Sequence, residues 1–348
     1  AFTDSPDLFP HEAAFEFHGL YADALARLKP LLDRRGDAGL VRRCHGDIHC
    51  ANVVILADKP VLFDAIEFSE KIATIDVLYD LAFLIMDLLR HAQHRAANLV
   101  LNRYLHLRRA EEDLSGLQAL PLFLATRSGV RALVTADLVH ELPASESSKL
   151  CGASHDYFSA SIAFLKPSAP QITCVGGLSG TGKSTLAAAL APSLGPPPGA
   201  LHIRSDVERK VLAGVAETGR LGLEHYTPAN SVKVYAALFD RAERALAAGR
   251  AVIMDAVFAH ESERHAAESL AKRKGASFHG IWLEARPEIL KARVAARIGD
   301  ASDATPEVIE AQLGYNLGNM TWSSVDASGS PEEVHARVIR LQEAHKSI

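Results

Sequence analysis

Apolar side chains recur at three- and four-residue steps through residues 11–33 and again from about 75 to 165, where Leu78, Leu81, Ala82, Ile85 and Leu88 show the spacing. That period puts them on one face of a helix, so both stretches are expected to be helical. Between them, Asn52-Val-Val-Ile-Leu56 and Val61-Leu-Phe63 are short apolar runs joined by the turn residues Ala57-Asp-Lys-Pro60, the pattern of a β-hairpin. Past residue 170 the pattern alternates. Strands are expected at 172–176, at His202-Ile-Arg204, at 251–254 and at 278–283. Helices are expected from Lys183, at 206–213, 230–248, 261–274, 287–297 and 305–317, with a loop at 326–331 and a last helix to about 345. Alternating strands and helices predict a parallel sheet flanked by helices.

The change of pattern falls at Lys166-Pro-Ser-Ala-Pro170, where two prolines bracket small residues, and 348 residues are long for one core. Two domains are therefore expected, 1–168 and 169–348. Residues 169–348 carry 20 basic and 20 acidic side chains, which leaves 17 basic and 22 acidic for 1–168, a net of −5. Neither domain has the basic excess of a phosphate-backbone binder, so no nucleic-acid partner is expected. No apolar run is long enough to span a membrane, and the first residues show no basic region followed by an apolar core. The four cysteines (44, 50, 151 and 174) are scattered, so a reduced, cytoplasmic setting is expected. Oligomeric state is left open.

Gly177-Leu-Ser-Gly-Thr-Gly-Lys-Ser184 fits G-x-x-x-x-G-K-[ST] between an expected strand and an expected helix, the context that motif needs. Glycines let the backbone wrap a phosphate chain, and the helix N-terminus adds partial positive charge. Gly177, Ser179, Gly180, Thr181, Gly182, Lys183, Ser184 and Thr185 are thus expected to hold ATP. Lys183 would serve the β- and γ-phosphates and Ser184 would ligate Mg²⁺. Asp206 follows the second strand, at the edge where ligands collect on a parallel sheet. It suits a general base or a Mg²⁺ partner more than the alternative of a helix cap. Asp255, at the end of the apolar run 251–254, suits Mg²⁺. Arg293 and Arg297 share a helix face before Gly299-Asp-Ala-Ser-Asp-Ala304, an arrangement fit for a mobile lid that neutralises a transferring phosphoryl group, or for an ordinary solvated face. Residues 326–330 are candidates for an adenine pocket. Side chains such as His225, Tyr226, Lys233 and His260 mark the region where an acceptor would be chosen.

Together these residues make 171–345 resemble the small P-loop kinases of the gluconate, shikimate and polynucleotide kinase type. The motif at 177–184, Asp206-Val-Glu-Arg209 and the 293–304 segment carry the likeness. The resemblance implies phosphorylation of a hydroxyl, and the neutral charge balance favours a small-molecule acceptor over a polynucleotide end.

In the first domain, His45-Gly-Asp-Ile-His-Cys-Ala-Asn52 sets an aspartate five residues before an asparagine, and Leu62-Phe-Asp64 closes the hairpin. This resembles the catalytic loop of aminoglycoside phosphotransferase-type kinases, a mainly α C-lobe with a short hairpin. The resemblance implies Asp47 as base, Asn52 and Asp64 as Mg²⁺ ligands, and Asp80 as a brace of the loop from a following helix. Cys44, His45, His49 and Cys50 form a competing metal set, whose spacing does not match the usual zinc pairs. About 40 residues precede the loop, read as helix, and hold no glycine-rich phosphate loop; their lysine, Lys29, lies in helical context. An ATP-covering lobe is therefore not expected in this chain, and the first domain is expected to have little turnover of its own. The whole reads as an ATP-dependent phosphotransferase working in the second domain. The rival reading is an ATP-driven switch on a kinase-like scaffold.

Overall fold

The structure is a computed structural model that describes residues 2–141, 144–296 and 299–346. The chain divides into two compact units, Ala1–Ser168 with Pro196–Pro198, and Ala169–Gly195 with Gly199–Ile348.

In the first unit, α1 (His11–Asp37) leads to β1 (Val41–Arg43) and to the hairpin β2 (Val53–Leu56) and β3 (Lys59–Leu62). Then come α2 (Glu70–Ala73), β4 (Thr74–Asp76), α3 (Val77–Arg90), α4 (His94–Arg108), α5 (Glu111–Gly116), α6 (Leu120–Glu141) and α7 (Ala144–Leu165). The hairpin pairs Val53 with Leu62 and Leu56 with Lys59, and its turn residues Ala57 and Asp58 both have positive φ, 48° and 60°. That is the twist a two-residue hairpin turn requires. The expected helical stretch starts differently. Residues 74–76 form β4, antiparallel to β1, and the Asp76 side chain then caps α3 by accepting from Leu78 N. Buried Arg35 of α1 donates to the same carboxylate at 2.6 and 2.8 Å, which ties α1 to the start of α3. Leu78, Ile85, Met86, Leu101, Leu117 and Phe158 fill the core of this helical unit.

The second unit runs β5 (Gln171–Gly177), α8 (Lys183–Leu190), β6 (Leu201–Arg204), α9 (Ser205–Leu212), α10 (Pro228–Ala247), β7 (Val252–Asp255), α11 (Glu261–Lys274) and β8 (Ser277–Glu284). It closes with α12 (Pro287–Ala295), α13 (Pro306–Leu313), β9 (Ser323–Asp326) and α14 (Pro331–Lys346). Five parallel strands lie in the order β6-β7-β5-β8-β9. Strand β9 was not expected: Ser323-Ser-Val-Asp326 has one apolar residue and sits at the sheet edge, where only Val325 is buried. The helix expected over 305–317 ends at Leu313, before Gly314. Val175, Leu186, Ile253, Ile281, Leu283, Val334 and Val338 form the core between sheet and helices. The connection leaving β5 goes to one side of the sheet and that leaving β8 to the other. The carboxyl edge between them is therefore a topological switch point, where open α/β sheets hold their ligands. Among the described residues no helix is long and apolar enough to cross a membrane.

Candidate active site

The buried central strand β5 delivers the glycine-rich loop to that edge. Gly177 has φ 139°, and a Cβ there would lie 2.6 Å from the Leu283 carbonyl oxygen; at Gly180 (φ 84°) it would lie 2.7 Å from that of Leu290. Gly182 (φ 89°) has open space around it and forms the left-handed N-cap of α8. Two glycines are thus demanded by packing as well as dihedral, the third by dihedral alone. Lys183 Nζ donates to the Leu178 carbonyl at 3.0 Å, and Thr181 Oγ1 to the same oxygen at 2.8 Å. Gln312 of α13 accepts from the Ser179 amide at 2.8 Å, so the loop is fixed from a helix 133 residues away in sequence.

Asp255 ends β7 in register with Val175 of β5 and Arg204 of β6. It is buried, with His202 Nε2 at 3.6 Å and Arg204 Nε at 3.5 Å from Oδ2. Burial pushes its carboxyl up, but His202, Arg204 and Lys183 outweigh that and hold it down to about 2. Asp206 lies inside the first turn of α9, whose N-cap position is Arg204, so a cap is not its role. Burial first, and the Asp255 charge second, push the Asp206 carboxyl up against the opposing pull of Lys183, Arg204 and a Ser302 hydrogen bond. The two carboxylates at this edge are driven apart in acidity, which is how a site separates a proton acceptor from a permanently charged group.

The 299–304 segment docks on the same edge. Asp300 accepts from Arg204 Nη2 at 2.7 Å, while Asp303 accepts from Tyr226 Oη at 2.7 Å and Leu221 N at 3.1 Å and pairs with buried Lys210. Arg293 donates to the carbonyls of Ala327 (2.9 Å) and Gly329 (2.8 Å), which places it on the loop after β9. Arg297 lies outside the described residues. Arg204, His202 and Gln312 were not among the residues expected at the site. His202 and Arg204 occupy alternate positions of β6 and so point to one face, a signal that was present. Gln312 left none.

In the first unit, buried Asp80 accepts from the amides of His45 (3.1 Å) and Gly46 (2.9 Å), and Asp87 accepts from Cys50 N at 2.8 Å, so α3 braces the 45–52 loop at two points. Burial raises the Asp80 carboxyl, opposed by those two amides and by Arg127. Within the loop Asn52 Nδ2 donates to the carbonyl and carboxylate of Asp47 at 3.0 and 3.1 Å. Phe63 N donates to the Asn52 carbonyl at 3.2 Å, and the next residue, exposed Asp64, adopts φ 61°. Cys44 Sγ, His45 Nε2 and Cys50 N are turned to Ile75, Phe63 and Asp87 respectively. Among the described residues, no three His, Cys, Asp or Glu side chains come together to hold a metal.

Residues 172–315 match the family model of an AAA domain. An uncharacterised protein of Mycobacterium tuberculosis is 28% identical over 275 residues, which cover 74% of this chain and 51% of that protein, and one of Mycobacterium bovis matches to the same extent. The chain thus spans about half the length of these curated relatives. Among solved structures, a gluconokinase from Sinorhizobium meliloti is similar at 22% identity over 51% of this chain and 96% of its own, with a TM-score of 0.36. The APS kinase of M. tuberculosis is similar at 18% identity over 51% and 99%, with a TM-score of 0.37.

Proposed function

We propose that residues 169–348 form an ATP-dependent phosphotransferase that moves the γ-phosphoryl group of ATP to a hydroxyl of a small molecule. The observation that carries this reading is the meeting of three strand ends at one edge: the glycine loop after β5, Asp206 after β6 and Asp255 on β7. The AAA-domain match includes all three.

Loop amides and Lys183 hold the phosphate chain, and the close approach of Gly177 and Gly180 to neighbouring carbonyls leaves the cradle no room for side chains. Ser184 Oγ and the buried Asp255 carboxylate supply the hard oxygen donors that suit Mg²⁺, Asp255 fully charged because its acidity is raised. When bound, Mg²⁺ would neutralise charge on the β- and γ-phosphates. Asp206 takes the acceptor's proton as the new O–P bond forms and the bond to the β-phosphate oxygen breaks, releasing ADP. A carboxylate with a raised pKa is a stronger base than an ordinary aspartate. The small-molecule acceptor rests on the even charge of 169–348.

Asp206→Asn should lower turnover by about 10²- to 10⁴-fold while leaving the affinity for ATP close to wild type. Undiminished phosphorylation of an identified acceptor by that variant would refute the assignment. For the first unit we retain the resemblance of the 45–52 loop and assign it a scaffolding role. What supports that role is the bracing of the loop as a unit by Asp80 and Asp87 from one helix, with Asn52 Nδ2 tied back to Asp47 inside it.

A further inference from the structure

Arg204 reaches four side chains, Ser184, Asp300, Asp255 and Glu217. Its Nη2 donates to Ser184 Oγ at 3.2 Å and to Asp300 Oδ1 at 2.7 Å; its Nε lies 3.5 Å from Asp255 Oδ2 and its Nη1 3.9 Å from Glu217. One guanidinium therefore touches the hydroxyl and the carboxylate assigned above to the divalent cation, and also carries the docked 299–304 segment. A hydroxyl that accepts from a guanidinium has given up a lone pair, and a second cation brought beside Arg204 meets like-charge repulsion at short range.

We propose that Arg204 is a positioning residue that stands in for the divalent cation between Ser184 and Asp255. Because Asp300 is held by the same nitrogen, metal binding at the loop and docking of residues 299–304 oppose each other. Entry of the cation moves Arg204 off Ser184, and Asp300 either follows it or gives up that hydrogen bond, so the segment is loosened from the edge. The segment's further ties, Ser302 to Asp206 and Asp303 to Tyr226, Leu221 N and Lys210, lie farther along it and let it pivot without leaving the domain. This inference rests on the phosphotransferase reading and deepens it, by making the metal the signal that releases the segment over the acceptor region.

The test titrates Mg²⁺ against a fixed, sub-saturating concentration of a fluorescent ATP analogue, with wild type, Arg204→Gln and Asp300→Asn. Asp300→Asn leaves the buried Arg204–Asp255 contact in place and guards against loss of folding in Arg204→Gln. Both variants should reach half-maximal nucleotide binding at a Mg²⁺ concentration about fivefold lower or less than wild type, within the range of ordinary coupling between sites. In wild type, amide hydrogen exchange over 299–304 should speed up when Mg²⁺ is added to the nucleotide-bound protein. An unchanged Mg²⁺ midpoint in both variants, or slower exchange over 299–304 on adding Mg²⁺, overturns the inference while leaving nucleotide binding intact. If wild type binds no nucleotide with or without Mg²⁺, the phosphotransferase reading falls with it.

Discussion

Asp206 and Asp255 face the same strand-end edge and are pushed in opposite directions, and pH separates them. Asp255 is held down to about 2 from the ordinary 3.8, so the stability it contributes is complete above about 4 and is lost as pH falls through 2. A shift of that size is worth roughly 2 kcal/mol. Asp206 is raised, so its ionised form costs stability at neutral pH, and acidification relieves that cost first. Urea midpoints of wild type and Asp255→Asn should therefore converge between pH 4 and 2, with wild type losing the more. Turnover should fall on acidification at a higher pH than an ordinary aspartate would impose, because it needs Asp206 ionised. A turnover profile flat down to pH 4 would remove Asp206 as the base.

At the scale of elements, the strand–loop–helix of β5 and α8 is held by its glycines, and the three make distinct predictions. Gly180→Ala meets the Leu290 carbonyl and a positive φ together, so it should lower the melting temperature and abolish nucleotide binding. Gly182→Ala meets only the dihedral penalty, about 1–2 kcal/mol. Equal melting temperatures for the two variants would contradict the packing account. This loop was legible in the sequence because its requirements are local: a motif of eight residues, an apolar run before it and a helical pattern after. The hairpin at 53–62 and the helix at 261–274 were legible for the same reason. Strands β1, β4 and β9 were not. Each is three or four residues long, Val41–Arg43 is exposed throughout, and their pairing is decided by partners distant in sequence. The site divides in the same way. Asp206 and Asp255 follow recognisable strands, whereas the Gln312 contact to Ser179 and the Arg204 contact to Asp300 span 133 and 96 residues and depend on the tertiary fold.

At the scale of the whole molecule, a helical unit and a five-stranded α/β unit each bury a core of their own. The match to the mycobacterial relatives runs over 275 residues and covers 74% of this chain, more than either unit holds, so it takes in part of each. On the proposed function, nucleotide is bound at one place, the loop after β5, and the 45–52 loop of the first unit serves as scaffold. Calorimetric titration of Mg-ATP into wild type and Lys183→Ala tests it most directly. One equivalent should bind wild type, and binding to the variant should vanish or weaken by several orders of magnitude. One equivalent retained by Lys183→Ala at wild-type affinity would contradict the claim and move the nucleotide site to the 45–64 region.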